Sequence, residues 1–92
     1  MASATDVWRK IREGDLDKAI ELAVNVPREQ MRRFVEILLA HGNEIGAALV
    51  ALVSCVQDLI DRVFSLLSEA KARIVSEIWL GELEEDLAHA LA

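Results

Sequence analysis

Residues 44–80, EIGAALVALVSCVQDLIDRVFSLLSEAKARIVSEIWL, decide how this chain folds. From Ala47 to Leu80 there is neither glycine nor proline. Nowhere do apolar and polar residues alternate with period two, so no strand is expected. As one helix the stretch would be about 55 Å long at 1.5 Å per residue. A compact chain of 92 residues has a radius of gyration near 12 Å and is only about 30–35 Å across. Such a rod must break at a hidden point or be covered by a partner chain. Ser54-Cys55-Val56-Gln57 has capping-box spacing, and Ser65 to Glu69 offers a second break. The sequence favours a break near Ser65–Ser68, which leaves two helices of ordinary packing length.

Within this stretch Ile45, Leu49, Leu52, Val56, Leu59, Val63, Leu66 and Ala70 are spaced 4-3-4-3-4-3-4. That spacing is an a/d seam. It fits the core of an antiparallel bundle, and alternatively an intermolecular coiled coil. Between Ile45 and Val56 the helix is apolar on every side, which calls for burial on more than one face. Gly46, Ala47, Ala48 and Ala51 are small enough to let a neighbouring helix approach closely.

Working outward toward the N-terminus, three shorter helices are expected. Thr5 is a candidate N-cap for a helix to about Glu13, carrying Val7, Trp8 and Ile11 on one face and closed by Gly14. Asp15 caps a second helix, in which Leu16, Ala19, Ile20, Ala23 and Val24 form an amphipathic stripe. Pro27 suits the first turn of a third helix, where its missing N–H costs nothing. Met31, Phe34, Val35, Leu38 and Leu39 repeat the spacing, with Glu29–Arg33 and Arg32–Glu36 as outer i,i+4 pairs. Gly42 ends that helix and Asn43 caps the next.

Toward the C-terminus, Gly81 is expected to end a helix ahead of the acidic tail ELEEDLAHALA. Leu83, Leu87 and Leu91 mark one apolar face there. Glu82, Glu84, Glu85 and Asp86 fall in the first turns, where the helix dipole favours negative charge.

The charge is unevenly placed. Residues 1–43 hold seven basic and seven acidic side chains, whereas residues 44–92 hold three and nine, so the whole net charge of −6 lies in the second half. Hydrophobic residues make up 53% of the chain, too many for disorder. The acidic balance also disfavours a polybasic nucleic-acid arm. Cys55 is the single cysteine, so neither an internal disulfide nor a thiolate-rich zinc site is available. A reducing, cytoplasmic location is the default expectation. The N-terminus shows no apolar signal region. The longest charge-free run, Ile45–Gln57, is too short to span a membrane.

Few residues could carry chemistry. His41 sits at the expected end of the third helix, where it complements unpaired carbonyls. His89 follows Glu85 and Asp86 at helical spacing, but bundle metal sites need a second such motif, and Glu36 lies on a different face from His41. Cys55 falls in the most apolar segment and is expected to be a buried small hydrophobe. No phosphate loop, zinc spacing or nucleophile elbow is present. Neither catalysis, nor a cofactor, nor a metal is expected. Arg28, Arg32 and Arg33 cluster in the first turns of the third helix, the end a helix-turn-helix presents to the major groove. Trp8 and Trp79 each flank an apolar stripe and are expected in the core.

Residues 14–23, GDLDKAIELA, resemble the turn and second-helix start of a tetratricopeptide repeat. Leu16 stands where an aromatic is usual there, Pro27 arrives early and no 34-residue period follows. The resemblance implies no activity and no family membership. The expected fold is a single all-α domain, a compact bundle of five to six helices around an apolar central helix. The expected function is a non-enzymatic interaction or assembly module. It would self-associate or bind another helical protein through Ile45, Leu49, Leu52, Val56, Leu59, Val63 and Leu66. A small nucleic-acid-binding protein using Arg28, Arg32 and Arg33 is the alternative, with nucleic acid a disfavoured partner. A designed helical scaffold without biological role also fits this sequence.

Overall fold

The computed structural model describes residues 2–91, with side chains described for residues 2–81. They form an all-helical domain of six helices without strands. These are α1 (Ala4–Arg12), α2 (Leu16–Ala23), α3 (Arg28–Ala40), α4 (Glu44–Ser54), α5 (Gln57–Leu66) and α6 (Glu69–Leu91). Six helices around one apolar centre match the sequence expectation.

The first four helices form two hairpins with the same turn. In the α1–α2 turn, Gly14 adopts φ +82°, its N–H donates to Ile11 O and that of Asp15 to Lys10 O. In the α3–α4 turn, Gly42 adopts φ +77°, its N–H donates to Leu39 O and that of Asn43 to Leu38 O. Both are Schellman closures, whose left-handed residue is glycine because a Cβ would be strained there. In both, the next side chain caps the following helix. Asp15 Oδ1 accepts from Lys18 N at 3.1 Å and Asn43 Oδ1 from Gly46 N at 2.9 Å. The two turns lie 28 residues apart, and so do the buried pairs Val7/Val35, Ala19/Ala47 and Ala23/Ala51. One further step of 28 reaches the buried Val63 and Val75.

Helix α4 is the hub. It packs against all five other helices, and Gly46 to Ala51 and Val53 are buried on every side. The small residues do what their sizes suggested: Ala47, Ala48 and Ala51 are fully covered. At Gly46 an added Cβ would lie 2.6 Å from the Trp8 ring and 2.7 Å from Asn43 Oδ1. Trp8 itself is half-buried against Phe34, with ring centroids 6.1 Å apart. Trp79 likewise packs on the core. The described buried residues form one contiguous cluster, all of it apolar.

Residues 44–80 break twice. The expected break near Ser65–Ser68 is present, where Leu67 leaves the helix in an extended conformation and Ser68 Oγ accepts from Lys71 N at 3.2 Å. Ser65 instead donates to Arg62 O at 2.6 Å. A second break falls at Cys55, which turns left-handed (φ 57°), and Val56 starts α5 without a side-chain cap. Ser54 makes no capping box, since its hydroxyl donates back to Ala51 O at 2.7 Å. Folded this way, the chain has a radius of gyration of 12.9 Å and extents of 41 × 36 × 21 Å.

Other boundaries shift for local reasons. Ser3, not Thr5, caps α1, because Ser3 and Asp6 satisfy each other's backbone N–H in a capping box. Pro27 is the N-cap of α3 rather than a first-turn residue. Gly81 does not stop a helix, since α6 runs through it to Leu91.

Candidate interaction surface

The seam is largely consumed inside the domain. Leu49, Val56, Leu59 and Val63 are buried, Ile45 and Leu52 are half-buried, and Leu66 and Ala70 are exposed. Because the chain turns at Cys55 and again at Leu67, these positions lie on three helices rather than along one rod. The heptad spacing therefore marks the inner faces of α4 and α5. It leaves no continuous stripe for a coiled coil.

The apolar surface left over lies on α6 and the end of α5. Leu66 (51% exposed), Ile74 (43%), Ile78 (42%) and Leu80 (54%) are open to solvent. Among the described residues of α6, Val75 alone is buried, with Lys71, Ala72 and Trp79 half-covered. The helix is thus anchored along a single row. Its Ile74 and Ile78 stand one position before Val75 and Trp79, on the next row around the cylinder. Val24 and Ile37 are also exposed, but single scattered apolar residues are ordinary on a protein surface.

Charged side chains stitch the helices together on the outside. Arg62 of α5 grips Glu36 of α3 with two hydrogen bonds, Nε–Oε1 at 2.5 Å and Nη2–Oε2 at 3.0 Å. That grip holds the Glu36 carboxyl below its ordinary range and raises the Arg62 guanidinium. Arg32 pairs with Asp58 at 3.3 Å and Glu29 at 3.8 Å, not with Glu36 as its spacing suggested. Tertiary partners on α5 take both groups away from the i,i+4 pair. Arg33 pairs with Glu29 at 3.9 Å as expected. At the N-terminus, the backbone N–H and hydroxyl of Ser3 hold the Asp6 carboxyl below its ordinary range, with Arg9 adding to the effect.

This arrangement bears on the nucleic-acid contacts proposed from sequence. Arg28, Arg32 and Arg33 do sit together at the start of α3, but Arg32 and Arg33 already face carboxylates. Cys55 is exposed, against the expectation of a buried thiol, because the left-handed turn carries it out of the core. The His41 ring nitrogen Nδ1 lies 2.8 Å from Ile37 O at the end of α3, as its position predicted. His89, with Glu85 and Asp86, lies outside the described side chains, as do Leu83, Leu87, Leu91, Glu82 and Glu84. Among the described residues, no group of three or more His, Cys, Asp and Glu side chains is placed to hold a metal ion. No helix searched among them is long and apolar enough to cross a membrane.

No family model, curated protein or solved structure matches this chain. The sequence places Trp79 beside an apolar stripe of Val75 and Ile78 expected to pack in the core; the structure buries Val75 and leaves Ile78 exposed together with Ile74.

Proposed function

We propose that this chain is a non-enzymatic helical interaction module that self-associates through an apolar helix face. One observation carries the reading: over residues 69–81, α6 buries one row of side chains and leaves Ile74 and Ile78 exposed beside it. The surface used is therefore α6 with Leu66, while Leu49, Val56, Leu59 and Val63 hold the monomer together.

Sedimentation velocity across a wide concentration range tests the proposal. The native chain is expected to shift reversibly to a larger species as concentration rises, and Ile78→Asp to remain monomeric. Ile78 lies outside the buried core, so the variant keeps its helical circular dichroism. A native chain that stays monomeric throughout would overturn the reading.

A further inference from the structure

We draw no further inference here: the strongest candidate, the cleft between the α2–α3 and α4–α5 turns where Arg28, Met31, Ser54 and Cys55 meet, rests on a lone exposed cysteine beside a start of α3 that no side chain caps, and no buried polar side chain among the described residues points to a ligand there.

Discussion

Two glycines of this chain stand in helices and do opposite things. At Gly46 a methyl group would run into the Trp8 ring and the carboxamide of Asn43. That carboxamide caps α4 through the Gly46 N–H. Gly46→Ala therefore strains the α1–α4 contact and the cap together, and is expected to destabilise the domain by about 1–3 kcal/mol, the usual cost of overpacking. Gly81 is surrounded by open space with an ordinary helical backbone, so Gly81→Ala should stabilise α6 by about 0.5–1 kcal/mol through backbone entropy alone. Urea unfolding of the two variants at low protein concentration gives the comparison. Equal effects of the same sign would contradict the packing around Trp8. The glycine count is visible in sequence, but this difference is not, because it depends on which helix arrives beside each glycine.

Between elements, the clearest electrostatic link is Arg62–Glu36, joining α5 to α3. The grip holds the folded Glu36 carboxyl below its ordinary value of 4.5. A depressed carboxylate contributes stability that is complete above its unfolded value and is lost as pH falls through its folded value. Both groups are solvent-exposed, so the contribution is screened and small. Glu36→Gln should consequently show a smaller drop in urea midpoint between about pH 6 and pH 3 than the native chain. An identical drop would show that the pair adds nothing to acid sensitivity. Element positions were well marked in the sequence wherever a local signal exists: Gly14-Asp15 and Gly42-Asn43 announce both Schellman turns and both caps. The break at Cys55 has no glycine to mark it, only the capping-box spacing of Ser54 to Gln57, and that box is not formed. A left-handed cysteine is unfavourable taken alone, and tertiary burial of Val56, Leu59 and Val63 outweighs that cost. The same competition removed Arg32 from Glu36 once Asp58 and Arg62 came within reach. The 28-residue recurrence of Val7, Val35 and Val63 lies in the sequence at a different period from the 34 residues of a tetratricopeptide repeat.

At the scale of the whole molecule, packing is graded from a saturated centre to an open edge. Helix α4 touches every other helix and is buried on all sides, so its amides can exchange with solvent only when the domain unfolds. Helix α6 rests chiefly on α4 along Val75 and Trp79, so it can lift away at lower free energy. Native-state hydrogen exchange at low protein concentration should therefore show the amides of residues 47–53 protected to the global limit. Those of residues 74–81 should exchange earlier, through a sub-global opening. Raising the concentration should act selectively, because a second copy that binds only the closed α6 adds its binding free energy to that local opening. Protection should then climb in residues 74–81 with concentration more steeply than in α4. Protection that is uniform across both helices at all concentrations would mean that α6 already belongs to a closed core. The exposed Ile74–Ile78 row would then have no bearing on assembly.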